Sequence, residues 1–200
     1  MINGGAILVL NAGSSSLKAD VLDEAQNSVL TVHVSGIGQT GVKLQASGAV
    51  TLEYSFEAHT FDGAVSVLFD FLRAHGITAP RAVGYRVVHG GSTLQKPTII
   101  SENVLAKISE LADIDPEHAP ITAQVITRSK AQYPDAVHVA CFDTAFFKEV
   151  PKVARLLPIP RQYYEAGIRR YGFHGLSYTY LLGAFTEACG EEAARGRIIM

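Results

Sequence analysis

The stretch AILVLNAGSSSLKADVLD, residues 6–23, constrains the fold more than any other part of this chain. Ala6 to Leu10 form an unbroken apolar run, and beyond the Gly-Ser tract Leu17, Ala19 and Val21 alternate with Lys18, Asp20 and Leu22. A run and an alternation on either side of small residues predict strand, tight loop, strand. The small side chains leave room for backbone N–H groups and for the hydroxyls of Ser14 and Ser16 to face a phosphate. They suit a plain hairpin turn equally well. Asn11, at the end of the first strand, can reach a metal ion or its water, and Lys18 adds a positive charge.

The next segments, SVLTVHVSG and GVKLQASGAVTLEYSFE, also read as strands, with turns at Gly36, Gly38, Gly41 and Gly48, so the first third of the chain is an antiparallel meander. GIGQTG, residues 36–41, matches G-x-G-x-x-G, but a strand pattern follows it where a dinucleotide site needs a helix, so it reads as a turn. Phe61, Val65, Leu68, Phe69 and Leu72 recur at helical spacing, with Asp62 as the expected cap and Gly76 as the stop. Strand and helix then alternate: RAVGYRVVHGG is a buried strand, SENVLAKISELAD a helix opened by Ser101, PITAQVITRSKAQY a helix stopped before Pro134, and AVHVACFDTAF a buried strand ending on Asp143. Pro151, Pro158 and Pro160 mark an extended connection and the expected boundary between a domain over 1–150 and a second unit over 151–200. That unit holds a loop leading into a long helix and ends in GRIIM, read as the opening of a strand.

With 48% hydrophobic and 18% charged residues over 200 positions, the chain can bury a sizeable core. Its 17 basic and 19 acidic side chains give a net charge of −2, no footprint for nucleic acid or an anionic membrane, so an anionic ligand must be held by local groups. Cys141 and Cys189 have no zinc-type or disulfide-framework spacing. The N-terminal MINGGAILVLNAG lacks the basic segment of a signal peptide, and no window approaches the roughly 20 apolar residues of a membrane span. These features predict a cytoplasmic protein.

Three further stretches place chemistry-bearing side chains beside glycines or at strand ends. GYRVVHGG sets Arg86 and His89 near the end of an apolar strand. A guanidinium pairs bidentately with carboxylate or phosphate, each charge-assisted bond contributing about 1.5–3 kcal/mol, although a structural ion pair would use the same residue. CFDTAFF puts Asp143 at the end of a strand, where open α/β sheets bind ligands and where an Asp also caps helices. RRYGFHGLS holds Phe173 and His174 between Gly172 and Gly175, so His174 can approach a ligand closely or serve as a structural histidine.

Together LVLNAGSSSLK, GYRVVHGG, FDTAFF and RRYGFHGLSY resemble the acetate kinase family, the acyl-phosphate-forming kinases of the actin-like and sugar-kinase superfamily, in the family's order along the whole chain. The resemblance implies an α/β fold: an actin-like, ribonuclease H-like domain with a mixed sheet and flanking helices, followed by the truncated start of a second, nucleotide-binding domain. It implies reversible phosphorylation of acetate by ATP with Mg²⁺. Asn11 is similar to the family's Mg²⁺-holding residue, and Lys18, Ser14 and Ser16 to its ATP- and phosphate-contacting ones. Arg86 resembles the binder of the substrate carboxylate, with Val88 and Phe173 lining the acyl pocket. Asp143 and His174 resemble the catalytic pair, the histidine stabilising the transition state. The family reading makes Asp143 an acid/base residue, whereas holding Mg²⁺ through water or fixing the nucleophile is physically easier to defend, since an ionised carboxylate nucleophile needs no base. The complete protein is expected to be a homodimer, with small-molecule substrates and neither nucleic acid nor membrane as partner.

The chain departs from the family pattern at Tyr85, Phe147 and Tyr178, each standing where a histidine is common, at Leu176 in place of a threonine, and at Glu117, where an apolar residue of the acyl pocket is expected. A propionate or butyrate kinase is therefore one alternative. Family members run to about twice this length, so an inactive truncated fragment acting as a binding or dimerisation module is another.

Overall fold

The computed structural model describes residues 5–58 and 60–199; the first residues of the N-terminal stretch, and Met200 of the expected last strand, lie outside the described residues. The chain forms two compact units, one from Met1–Val87 with Thr98–Ala140, the other from Val88–Pro97 with Cys141–Met200.

The first unit opens with β1 (Ile7–Ala12), β2 (Ser16–Leu22), β3 (Ser28–Ser35), β4 (Val42–Gly48) and β5 (Leu52–Phe56), each antiparallel to the next as the alternation predicts. Helix α1 (Phe61–Ala74) leads to β6 (Ala82–Val87), which pairs with β1 in parallel, so the sheet is mixed. A two-residue strand β7 (Thr98–Ile99), helices α2 (Glu102–Glu110) and α3 (Ala119–Gln132), and β8 (Val137–Phe142) complete the eight-stranded order β5-β4-β3-β2-β1-β6-β8-β7. β7 lies antiparallel to β8.

Alternation gives the sheet one buried face, carrying Leu8, Leu10, Leu17, Val21, Val32, Leu44, Val83 and Tyr85. The other face carries the polar positions between them, including Asn11, Lys18, His33 and Arg86. Tyr85 belongs to the buried face: its hydroxyl donates to His138 Nδ1 at 2.6 Å, while His138 Nε2 donates to the Tyr133 carbonyl at 3.0 Å. A carbonyl can only accept, which fixes the His138 tautomer and makes Nδ1 the acceptor. The Tyr85 departure thus faces away from Arg86 and alters the core.

One of two local capping expectations needs correction. The cap of α1 is Thr60, whose hydroxyl accepts from Gly63 N at 3.2 Å, with Asp62 inside the first turn. Ser101 does cap α2, accepting from Val104 N at 3.3 Å.

The second unit contains a 3-10 helix over Asp143–Glu149, short helices α4 (Lys152–Arg155) and α5 (Arg161–Glu165), the long helix α6 (Gly175–Cys189) and α7 (Glu191–Ala194). The proline-marked connection is therefore partly helical. GRIIM does not open a strand among its described residues: Arg197, Ile198 and Ile199 have no regular structure, and Ile199 is fully exposed. Cys141 and Cys189 are free thiols.

Candidate active site

In the first unit the strand registers line up a polar row that sequence spacing alone does not reveal. Asn11 stands opposite Lys18, Lys18 opposite His33, His33 opposite Gln45 and Gln45 opposite Glu53, across five consecutive strands. On the far side of Asn11, the Arg86 Nη1 donates to Asn11 Oδ1 at 3.2 Å. A guanidinium and an amide thus meet beside the Gly-Ser turn, with the exposed Lys18 at the facing position on β2. At the other end of the row, Glu53 takes hydrogen bonds from Gln45 at 2.9 Å and Lys43 at 3.4 Å. Burial first, and the Lys18 charge second, push the His33 imidazole below its usual value, which favours its neutral form between the two polar neighbours.

The turn itself is closed by Gly13 N donating to the Ser16 carbonyl at 2.8 Å, so that N–H faces inward and does not point to a ligand. Ser14 and Ser15 are exposed and Ser16 is half-buried at the start of β2. Ile37 N, in the β3–β4 turn, donates to the Ser15 carbonyl at 3.0 Å. GIGQTG is accordingly a turn that buttresses the Gly-Ser loop, with positive φ at Gly36, Gly38 and Gly41.

In the second unit Asp143 is 1% exposed at the start of the 3-10 helix, and the hydroxyl of Thr144 beside it accepts from Gly90 N at 3.0 Å. His174 caps α6 with a left-handed backbone, φ 59° and ψ 20°, one of two non-glycine residues with positive φ among those described. Such strain persists only where surroundings impose it, and is commonest at functional sites. The surroundings are visible here: a Cβ on Gly175 would run into the Asp143 carbonyl oxygen, so the glycine lets the start of α6 sit against the Asp143 backbone. His174 and Phe173 are both exposed, and Val88 is half-buried.

His89, noted in the sequence without a role, proves to be a buried organiser of this cluster. It is 4% exposed, its Nδ1 accepts from Gly91 N at 2.8 Å, and its ring packs on Tyr171 at 4.4 Å and Phe173 at 5.8 Å. Its place after an apolar strand and before two glycines was the available signal. Phe147 and Tyr178, departures separated by 31 positions in sequence, pack edge to face with centroids 6.1 Å apart. Phe147 also fills the space over Gly172, where a Cβ would lie 2.5 Å from its ring. Glu117 is exposed, next to a His118–Asp115 pair at 2.9 Å.

Among the described residues no group of three or more His, Cys, Asp or Glu side chains could hold a metal ion. The Asn11 amide oxygen has a second lone pair beyond the Arg86 bond. That donor suits a Mg²⁺ ion that arrives on a nucleotide and keeps most of its waters, and it does not make a resident protein cage. No helix among the described residues is long and apolar enough to cross a membrane.

The family model described as the Acetokinase family matches residues 6–200. An acetate kinase of Rhodopseudomonas palustris is 36% identical over 207 residues, covering 97% of this chain and 51% of that protein. A propionate kinase of Citrobacter rodentium is likewise 36% identical, with 96% and 50% covered. The crystal structure of a propionate kinase from Francisella tularensis superposes with a TM-score of 0.84 at 29% identity, covering 92% of this chain and 49% of that one. The chain spans about half the length of the curated relatives it matches.

Proposed function

The chain belongs to the acetokinase family, and from that membership we propose that the protein carrying it transfers the γ-phosphoryl group of ATP reversibly to acetate, or to a similar short-chain carboxylate, giving an acyl phosphate. The observation that carries this reading is the Arg86–Asn11 hydrogen bond at 3.2 Å beside Lys18 and the Gly-Ser turn, in an eight-stranded mixed sheet with flanking helices. A guanidinium and an ammonium-bearing residue on one face of one sheet support a carboxylate binder beside a phosphate binder.

A carboxylic acid titrates near pH 4, so at neutral pH the nucleophile is already ionised and needs no general base. Positioning and charge then dominate. Arg86 orients the carboxylate, while Lys18 and the Ser14 and Ser16 hydroxyls hold the phosphate chain. Asn11 would reach a nucleotide-bound Mg²⁺ or its water, and that ion would supply positive charge to the phosphate oxygens. His174, at the N-terminus of α6, donates to charge developing on the transferred group. Val88 and Phe173 face the acyl chain, and the buried Asp143 fixes the nucleophile or a metal-bound water. The domain over 1–150 would carry the carboxylate side and the stretch from 151 would begin the nucleotide side. The family resemblance also supports a cytoplasmic location and a homodimer, the latter checked by light scattering of the purified protein.

The test is acyl phosphate formation, trapped as the hydroxamate, from MgATP with acetate, propionate or butyrate. Turnover with acetate supports the reading; a kcat/KM higher for propionate reassigns the substrate, as the equal identity to a propionate kinase allows. His174→Ala should lower kcat with little change in KM, and a pure KM effect would remove it from the transition state.

A further inference from the structure

The second unit holds a cavity of about 210 Å³ that shares Thr144, Phe147, Tyr171 and Gly172 with the cluster described above and adds cations that no role above uses. Its wall includes Lys148, Arg155, Arg169 and Arg170 together with Thr144 and Tyr171, and no carboxylate lines it. The nearest counter-charge to Lys148 is Glu149, at 4.0 Å and itself exposed.

Two arginines are held in place by the fold. Arg169 Nε donates to the Tyr171 hydroxyl at 3.1 Å, with its guanidinium 5.2 Å from that ring's centroid. Arg170 N donates to the Arg155 carbonyl at 2.9 Å, which ties the two arginine-bearing segments together. Arg155 Nε is buried and has no hydrogen-bond partner among the described residues. A buried donor without an acceptor is costly, and four cations around one small space repel each other, so the arrangement is relieved by an anion that accepts several N–H bonds.

We propose that this cavity is a second anion site, which binds a phosphate dianion, either free or as the end of a polyphosphate chain. Guanidinium forks match the tetrahedral oxygens of phosphate, and a dianion answers several positive charges where a monocarboxylate answers one. The proposal does not depend on the phosphotransfer reading, because it concerns binding and needs no turnover.

Isothermal titration of the protein with inorganic phosphate, pyrophosphate and Mg-free ATP tests it. Parallel titrations use Lys18→Gln, which weakens the phosphate site proposed on the Gly-Ser turn and leaves this cavity intact. Saturable phosphate binding should persist in Lys18→Gln and fall about tenfold or more in Arg155→Gln and in Arg170→Gln. Tighter binding of pyrophosphate and ATP than of phosphate identifies a chain end as the ligand, and equal or weaker binding identifies free phosphate. If Arg155→Gln fails to fold by circular dichroism, the exposed Arg170→Gln decides. Arg128→Gln, which removes an exposed pair with Asp62, controls for net charge and should leave affinity unchanged. The proposal is overturned by no saturable binding in Lys18→Gln below about 10 mM phosphate, by unchanged affinity in the Arg170→Gln variant, or by an equal loss in Arg128→Gln. Loss of a site in Lys18→Gln alone bears on the phosphotransfer reading and not on this one.

Discussion

A methyl group on Gly175 would run into the Asp143 carbonyl oxygen and the Phe146 side chain, both parts of a rigid 3-10 segment. Gly175→Ala should therefore cost ~1–3 kcal/mol in chemical unfolding, the usual penalty of overpacking, and should displace the strained backbone of His174 as well. An unchanged unfolding midpoint would show that the helix start can shift at no cost. Arg86 makes the complementary case in the first unit. Arg86→Ala should raise the KM for the carboxylate roughly ten- to a hundredfold, with a smaller effect on ATP, as expected for loss of a charge-assisted pair. An unmoved carboxylate KM would take Arg86 out of the site. His174 and Arg86 were legible as candidates because the one sits between glycines and the other near a strand end. The partner that makes Arg86 informative, Asn11, lies 75 positions away and emerges only from the parallel pairing of β1 with β6.

At the scale of elements, the cap of α1 separates two readings of the same four residues. Thr60 is extended, φ −130° and ψ 154°, and its hydroxyl satisfies Gly63 N, whereas Asp62 is already helical and pairs with Arg128 at 3.3 Å. Thr60→Ala should lower stability by ~1 kcal/mol, seen as a drop in melting temperature, and Asp62→Asn by clearly less, because its ion pair is about half exposed. The reverse order would restore Asp62 as the cap. Helix α6 presents another limit of local reading. Its composition is largely apolar, yet Gly175 is its one buried residue among those described, and Tyr180 is 75% exposed. The Phe147–Tyr178 contact joins this helix to the 3-10 segment, and with Phe146 forms an aromatic cluster where the family commonly has histidines.

For the molecule as a whole, two histidines predict the acid arm of its stability. His33 and His138 are both held below the ordinary imidazole value of 6.5, chiefly by burial, with Lys18 and Lys130 as the respective cationic neighbours. Above that value both are neutral in folded and unfolded chains alike. As pH falls below it the unfolded chain takes up protons first, so stability should decline until pH passes the lowered folded values, then level off if no other group intervenes. Melting temperatures measured from about pH 7.5 down to about pH 5 should fall, and His33→Gln should flatten part of the slope; a slope unaltered by the substitution would mean that Lys18 and burial do not disfavour its charge. The amino-acid sequence by itself determined the antiparallel meander, the Gly-Ser loop, the GIGQTG turn and the positions of Asn11, Arg86, Asp143 and His174 near the ends of elements. Those features follow from a period of two, from small residues and from capping chemistry, all of which act within a few residues. Only the tertiary structure decided that Arg86 bonds Asn11, that Tyr85 belongs to the core with His138, that His89 is buried against Tyr171, and that Thr98–Ile99 form a strand. Each of these depends on surfaces or backbone edges brought together from distant parts of the chain, and no local periodicity encodes such a meeting.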